Sequence, residues 1–496
     1  MVRNTPEKIE RIYDFLLVLL LVLQPILELV WFNNGTIGEV AGFTIPTLVR
    51  FGLVGIIGVL SFAVVKFNRK YLLLLAYAVL IVVYTVFHHD FCVDFYSLVP
   101  GDFDYSLVNE LFYIIRMLVP IAVIYFVFHS TITKSTMKKV ILWIAGFSSL
   151  SVVITNILKI SLGSYSDKKI LGNVFDWFFN VGKYTFNDLS SKGFFYWSIF
   201  STVLVLIYPM IIHWYFKEKK KRYLFLIILQ GIALYMFGTK ATTFSVLIEL
   251  FVMLGVYLFC TVIKKDEQIQ KMQIAIFTVV IAIFVFAIPY TPSLSRMSFD
   301  EDYKKAIDEA EKEREKEAFE GDFEEFLDKN YKFLSVKEEF LLESYSYKYD
   351  LEFWEDLLNH TGPSQRMQNR IIEQRMLERV KEINNDPMDT YFGLGYTRTS
   401  NIYNLEKDFI YQFYSMGIIG VILLLGPYIM IILVAMLWML IKFKDKANIE
   451  NCSLVLGLGL SLFLAYYSGN VMESLGITIV IGALAGYLLK LLFEKC

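Results

Sequence analysis

Four arginines lie close together in the most polar part of the chain. Within TGPSQRMQNRIIEQRMLERVKEINND they occur at intervals of four, five and four residues, at Arg366, Arg370, Arg375 and Arg379. The arginine fork is planar and permanently charged, and it binds phosphate oxygens in pairs. Residues 361–364 supply a helix start, which predicts that Arg366 and Arg370 share one helical face, one turn apart. That face is suited to phosphate, although pairing with Glu373, Glu378 or the acidic stretch upstream remains open.

A second polar motif follows at FGLGYTRTSNIYN, where Gly393 and Gly395 precede Arg398. Glycines at this spacing are typical of a turn, so we expect a loop that returns the chain to an apolar segment. Asn, Tyr and Thr side chains in this loop are also suitable contacts for a sugar. The motif is short and is weak evidence by itself.

The elements that must position these residues are membrane helices. The 496 residues are 56% hydrophobic and only 19% charged, whereas soluble proteins are roughly 45–50% apolar. A spanning helix needs about 20 mostly apolar residues, and the sequence predicts an all-α polytopic membrane protein with twelve such spans, at 14–33, 45–65, 71–88, 108–128, 140–161, 195–216, 223–238, 241–262, 272–290, 411–440, 452–469 and 474–493. The tenth contains Gly417, Gly420 and Pro427, so it is either one long tilted helix or a broken one.

Basic residues assign the two sides of the membrane. Short loops rich in Lys and Arg favour the cytoplasm, and such loops follow the even-numbered spans, for example KEKKKR at 217–222. Both termini are therefore predicted to be cytoplasmic. The chain divides into helices 1–9 (1–290), a large, mostly helical extracellular loop (291–405) and helices 10–12 (406–496).

The large loop itself has two unlike parts. Residues 300–356 contain 21 Asp or Glu and 9 Lys or Arg, a balance of −12, which predicts a solvated helical arm without chemistry. The Arg-bearing segment at 362–405 is the candidate for binding.

Ionisable residues also occur inside the predicted spans, where charge is costly and a functional role is the first hypothesis. Arg50, Arg116 and Lys240 all fall toward the outer side and are expected to converge with the loop arginines near the headgroup level, where a lipid-linked diphosphate would sit. A buried pair between Glu110 and Arg116, and snorkelling of Lys240 to the interface, are the structural alternatives.

The order of these motifs resembles the O-antigen ligase and polymerase family of bacterial membrane glycosyltransferases. GTKATTFSVLIELF at 238–251 is similar to that family's Gly-Ser-Arg-Thr motif, with Lys240 in place of Arg. SQR at 364–366 is similar to its Ser-Gly-Arg motif, FGLGYT at 392–397 to the Gly-x-Gly that follows, and the run at 406–425 to the start of its tenth span. The resemblance covers most of residues 195–496, and it implies a GT-C-like glycosyltransferase architecture.

The resemblance implies transfer of a growing glycan from an undecaprenyl diphosphate carrier onto an incoming lipid-linked oligosaccharide repeat unit, without a metal, cofactor or nucleotide sugar. Cations would stabilise the departing diphosphate, and a carboxylate would accept the proton of the acceptor hydroxyl. The expected base is Glu406, with Asp408 second, and the expected diphosphate ligands are Arg366, Lys240, Arg370, Arg398, Arg116 and Arg50.

One departure favours a Wzy-type polymerase over a ligase. Ligase-like members often carry His-Asn shortly before the Gly-Ile-Ile-Gly step, where this chain has Glu406 and Asp408. The expected product is a capsule, exopolysaccharide or O-antigen. The expected partners are the lipid-linked donor and acceptor, membrane lipids and polysaccharide export or chain-length regulator proteins, with no nucleic acid. Transfer of finished glycan to another acceptor is the closer alternative, and a flippase or secondary transporter is the more distant one.

Overall fold

The structure is a computed structural model that describes residues 7–33, 43–65, 70–99, 103–265, 269–314, 323–402 and 405–493. Within these ranges the chain is almost wholly helical, which confirms the predicted all-α polytopic membrane protein. Ten of the described helices are long and apolar enough to cross a membrane. The other two predicted spans also fall on helices, at Glu7–Leu27 and Lys221–Met236.

The first nine predicted spans form the first half of the bundle. Its helices are α1 Glu7–Leu27, α2 Val30–Asn33, α3 Ile45–Val64, α4 Lys70–Val93, α5 Leu107–His129, α6 Lys134–Ile157, α9 Ser201–Glu218, α10 Lys221–Met236, α11 Lys240–Leu258 and α12 Lys271–Ala287. Between α6 and α9 lie the elements β1 Leu162–Gly163, α7 Asp176–Phe179, α8 Phe186–Leu189 and β2 Ser191–Gly193, of which β1 and β2 pair antiparallel. These small elements form a folded cap over the ends of the helices.

The large loop and the last spans complete the chain. The loop contains α13 Pro292–Arg314, α14 Phe323–Asn330, α15 Leu351–His360, α16 Pro363–Arg366, α17 Asn369–Asn384, α18 Asp389–Phe392 and α19 Tyr396–Ile402. The last spans comprise α20 Asp408–Leu424, α21 Gly426–Ile441, α22 Phe443–Lys446, α23 Ile449–Tyr467 and α24 Leu475–Phe493. We call the side of the bundle that carries residues 291–405 the loop side.

Two helices form the centre of the bundle. Side chains of α9 and α24 are almost all enclosed by protein, whereas α3, α4 and α12 are largely exposed, as expected for a lipid-facing surface. Helix α24 packs along α5, and α23 packs along α9. A methyl group at Gly482 or Gly486 would overlap the carbonyls of Pro120 and Ile124 on α5. Small residues at this four-residue spacing let two membrane helices approach closely, which fixes α24 against α5.

The large loop has a hydrophobic core of its own. Trp354 on α15 is fully buried among apolar residues of α14, α15 and α17, and Tyr411 and Tyr414 of α20 close this core from the membrane side. The described part of the predicted acidic arm after residue 322 is therefore folded against the Arg-bearing segment. Helix α13 instead exposes the charged side chains of Glu301, Asp302, Lys305 and Glu309 to solvent.

The tenth predicted span is a broken helix. Gly417 has φ 67° and ψ 179°, which interrupts α20, and α21 begins only after Leu425. The carbonyls released near the break are all satisfied: Tyr414 O accepts from Leu394 N at 2.7 Å, Ser415 O from Gly395 N at 3.0 Å and Met416 O from the Tyr84 hydroxyl at 2.7 Å. Backbone groups at membrane depth need protein partners because no water is available. The break therefore fastens the Gly393–Gly395 turn onto the bundle.

Replacement of Gly417 by alanine tests this arrangement. A methyl group there would overlap the backbone of Tyr391 and Phe392, and the left-handed backbone disfavours any side chain. We expect Gly417→Ala to destabilise the protein by about 2 kcal/mol or more, measured as a lower midpoint of thermal unfolding in detergent. Gly459→Ala is the matched control, because a methyl group at that helical glycine meets open space. Equal midpoints for both variants would contradict the described break.

Candidate functional site

An ion pair between Arg370 and Glu406 lies on the loop side, where α17 meets the start of α20. Two nitrogens of Arg370 donate to Glu406 Oε2, from Nε at 3.1 Å and from Nη2. The same guanidinium donates Nη1 to Tyr467 O at 3.1 Å and Nη2 to Ser468 O at 3.4 Å, at the C-terminal end of α23. The Glu406 side chain is 50% exposed, so the carboxylate remains accessible to a ligand.

A second charged group surrounds Asp300 on α13. Lys240 Nζ lies 3.2 Å from Asp300 Oδ2, and Arg296 Nε lies 3.9 Å from the same oxygen. The Arg296 guanidinium stacks 4.3 Å from the centre of the Tyr165 ring, which belongs to the cap between α6 and α9. The Tyr165 hydroxyl in turn donates to Gly238 O at 2.9 Å. This turn holds Lys240 at the start of α11, where Thr239 accepts from Thr242 N.

Electrostatic effects connect the two groups. Burial raises the pKa of the Tyr165 phenol, and the carboxylates of Asp300 and Glu406 raise it further, against the opposing effect of Arg296. The Glu406 carboxylate therefore contributes to the electrostatic surroundings of Tyr165. Burial also raises the pKa of Glu373 to about 7, and the neighbouring Glu406 carboxylate adds to this effect while Lys337 and Arg370 oppose it. The site thus combines carboxylates with three cations, which are Lys240, Arg296 and Arg370.

Arg366 does not share a helix with Arg370, so the predicted common helical face is wrong. Helix α16 begins at Pro363 as predicted, but it ends at Arg366, and Gln368 has non-helical backbone angles before α17 begins. The Arg366 side chain is buried and donates Nη1 to Leu358 O at 3.1 Å and to Thr361 O at 2.8 Å. These carbonyls lie at the C-terminal end of α15, where they have no partner within the helix. Arg366 supplies their hydrogen-bond donors and does not continue a helix toward Arg370.

Arg398 lies away from this site and is buried against the end of α4. It donates to the carbonyls of Cys92, Val93, Phe103 and Leu394. Its guanidinium also stacks 4.2 Å from the centre of the Phe95 ring. Arg398 thereby joins the Gly393–Gly395 turn to the C-terminal end of a membrane helix.

Arg50 and Arg116 are not brought to the Arg370–Glu406 pair. Arg50 is buried between α1 and α3, where it donates to Glu28 at 2.6 Å and to Gln24 at 2.9 Å. Arg116 faces Glu473, with 3.6 Å between the nearest nitrogen and oxygen. The predicted convergence of all the cations is therefore not observed.

Glu110 does not pair with Arg116 either. Its carboxylate accepts from Tyr396 N at 3.0 Å and from Thr397 N at 2.7 Å, and it lies 3.2 Å from His88 Nε2. It therefore caps the N-terminus of α19 with negative charge, where the helix dipole favours an anion.

Asp408 is buried and differs sharply from Glu406 in its surroundings. Its Oδ2 accepts from the backbone amides of Val471 and Met472, both at 2.9 Å. The side chain fastens the turn between α23 and α24 to the start of α20. Of the two predicted bases, only Glu406 is open to solvent.

Four residues at or near the site were missed from the sequence. Arg296 and Asp300 are four residues apart just beyond the ninth span, a spacing that indicates a pair on one helical face. Glu473 lies in the short turn between the last two spans, where an ionisable residue is a functional candidate. Tyr165 gave no signal, because its position depends on the fold of the cap.

Similarity to a known protein family extends over almost the whole chain. No curated protein matches the sequence. A family model described as O-antigen ligase like membrane protein matches residues 10–495, which confirms the resemblance seen in the motifs at the level of the ligase and polymerase family. The chain therefore belongs to the O-antigen ligase-like family of membrane proteins, which implies a membrane enzyme that processes glycans by glycosyltransferase-type chemistry.

Proposed function

We propose that the protein is a polysaccharide polymerase that transfers a growing glycan from undecaprenyl diphosphate onto an incoming lipid-linked oligosaccharide repeat unit. The observation that carries the proposal is the Arg370–Glu406 pair, which lies across the site from Lys240, Arg296 and Asp300. A carboxylate that is accessible and flanked by cations suits a reaction in which one substrate loses a proton and the other releases an anion.

The cations act on the leaving group. The bond between the anomeric carbon and the diphosphate oxygen breaks, and the electron pair leaves with the diphosphate. Lys240, Arg296 and Arg370 stabilise this charge because their side chains are already fixed by neighbouring groups. A diphosphate competes with Glu406 for Arg370, and binding of the donor therefore releases the carboxylate for catalysis.

Glu406 acts on the acceptor. The acceptor hydroxyl oxygen forms the new bond to the anomeric carbon, and its proton passes to Glu406. Asp408 positions the turn between α23 and α24, since it accepts from the backbone amides of Val471 and Met472 in that turn. Arg366 and Arg398 position the loop through helix-terminal carbonyls, and Arg50 joins α1 to α3.

The proposal includes the side of the membrane. The loop side faces the outside of the cytoplasmic membrane and both termini face the cytoplasm, as supported by the basic loops that follow the even-numbered spans. Polysaccharide export or chain-length regulator proteins are proposed partners at this outer face.

Charge-neutral variants of the pair test the site. We expect Glu406→Gln and Arg370→Gln each to lower the rate of polymerisation about a hundredfold or more, because one removes the base and the other removes a cation from the leaving group. Purified protein is supplied with lipid-linked repeat units, and the ladder of products is measured over time. Arg375→Gln is the matched control, since Arg375 lies on the same helix as Arg370, is 60% exposed and pairs with Glu378 at 3.4 Å.

The same assay separates the possible reactions. A ladder spaced by one repeat unit, made from a single lipid-linked substrate, supports the polymerase. Transfer of one finished glycan to a different acceptor would instead assign the protein to ligation. Unchanged rates for both Glu406→Gln and Arg370→Gln, with the proteins folded, would remove the pair from the mechanism.

Glu373 gives a prediction for pH. Its pKa is about 7 in the folded protein and 4.5 when unperturbed, so the folded state retains the proton longer as pH rises. Stability should therefore fall between about pH 4.5 and 7 by at most about 3 kcal/mol and level off above that range. Glu373→Gln removes this loss, and its unfolding midpoint should exceed that of the wild type above pH 7 but match it near pH 4.5. Glu382→Gln, on the exposed side of α17, should show the pH dependence of the wild type.

A further inference from the structure

A second polar site lies between the start of α5 and helix α19, apart from the Arg370–Glu406 pair. It is a cavity of about 360 Å³, within the size range of sites that enclose small ligands. Arg116 and Tyr396 form part of its wall, and Asp104, Ser106, Asn109 and Ser400 supply polar groups around it. The lining combines an aromatic face with hydroxyl, amide and carboxylate groups, which is the mixture that a pyranose ring requires.

Arg116 gives this cavity its charge preference. Its Nε and Nη2 atoms are buried and have no hydrogen-bond partner among the described residues. The nearest carboxylate oxygen, on Glu473, is 3.6 Å away, beyond the usual length of a hydrogen bond. The ion pair with Glu473 leaves these two buried donors without a hydrogen bond, and an anionic group of a ligand in the cavity would accept from them.

Aromatic rings hold Arg116 in this position. The rings of Tyr113 and Tyr396 stack with centroids 3.8 Å apart, and the guanidinium lies 4.9 Å and 5.8 Å from their respective centres. The Tyr113 hydroxyl donates to Glu473 Oε1 at 3.1 Å and accepts from Gln412. The charged group is therefore preorganised rather than free to leave the cavity.

The cavity is also connected to the proposed catalytic side. Glu473 follows Met472, whose amide is held by Asp408. Asp408 in turn lies two residues from Glu406. The wall of the cavity is thus connected to the proposed base through Glu473, Met472 and Asp408.

We propose that this cavity is a subsite for an acidic sugar of the repeat unit, with its carboxylate or phosphate group bound by Arg116. The inference rests on the proposed function in that the ligand is a glycan. It adds that the polymer contains at least one acidic residue per repeat. Asp104 and Ser400 would contact ring hydroxyls, and Tyr396 would contact the ring face.

Binding and activity are tested separately. Lipid-free oligosaccharides are prepared from the polysaccharide of the bacterium that carries this chain, and a second sample is made neutral by reduction of carboxyl groups and removal of phosphate. We expect wild-type protein to bind the native oligosaccharides at least about tenfold more tightly than the neutral ones. Arg116→Gln should lose this preference and Arg116→Lys should restore part of it. Ser400→Trp, which fills the cavity without replacing Arg116, should weaken binding of both samples, and Arg375→Gln should bind as the wild type does.

The outcomes are distinct. A native polysaccharide without any acidic group, or equal affinity of the wild type for native and neutral oligosaccharides, would overturn the subsite. Displacement of the native oligosaccharide by phosphatidylglycerol micelles from wild type but not from Arg116→Gln would assign the cavity to a lipid headgroup and also overturn it. Arg116-dependent binding without ladder formation from lipid-linked repeat units would keep the subsite and remove the polymerase. Ladder formation without Arg116-dependent binding would keep the polymerase and remove the subsite.

Discussion

The site depends on the break in α20 at Gly417. A straight helix would satisfy its own carbonyls and leave nothing for the large loop to bind. Because the chain is left-handed at this glycine, the carbonyls of Tyr414 and Ser415 accept from the Gly393–Gly395 turn instead. The turn fixes the start of α19 beside α5. Helix α20 itself carries Asp408 in its first turn, two residues after Glu406, so this one broken helix begins beside the proposed base and also holds the turn that precedes α19, part of the wall of the acidic-sugar cavity.

Three arginines of the loop each donate hydrogen bonds to carbonyls at the end of a helix. Arg366 donates to carbonyls that end α15, Arg398 to those that end α4 and Arg370 to those that end α23. Helix C-termini carry unsatisfied carbonyls and partial negative charge, and a multi-donor cation satisfies both. Arg370 also reaches an accessible carboxylate, that of Glu406. Arg366, Arg398 and Arg370 therefore make three separate anchoring contacts, of which the one made by Arg370 coincides with the candidate site.

The cations of the site are paired with carboxylates before any substrate arrives. Arg370 is paired with Glu406, and Lys240 and Arg296 share the carboxylate of Asp300. An isolated charge near the membrane would be costly, so each cation needs a carboxylate in the resting state. In the proposed reaction a diphosphate replaces those carboxylates as the partner of the cations. This exchange would make one arrangement stable when empty and catalytic when filled.

The sequence by itself determined the class of fold, the approximate positions of the membrane helices and the family, because apolar runs of spanning length and ordered motifs are local features of the chain. It also identified Glu406, Arg370 and Lys240 as candidates. It could not show that Arg366 and Arg370 lie on different helices or that Arg398 and Arg50 are enclosed by other partners. It gave no sign of Tyr165 at the site. Those results depend on which carbonyls and carboxylates meet each side chain in space, and the contacts of Arg398 alone join residues up to 306 positions apart. Only the packing of the helices decides them.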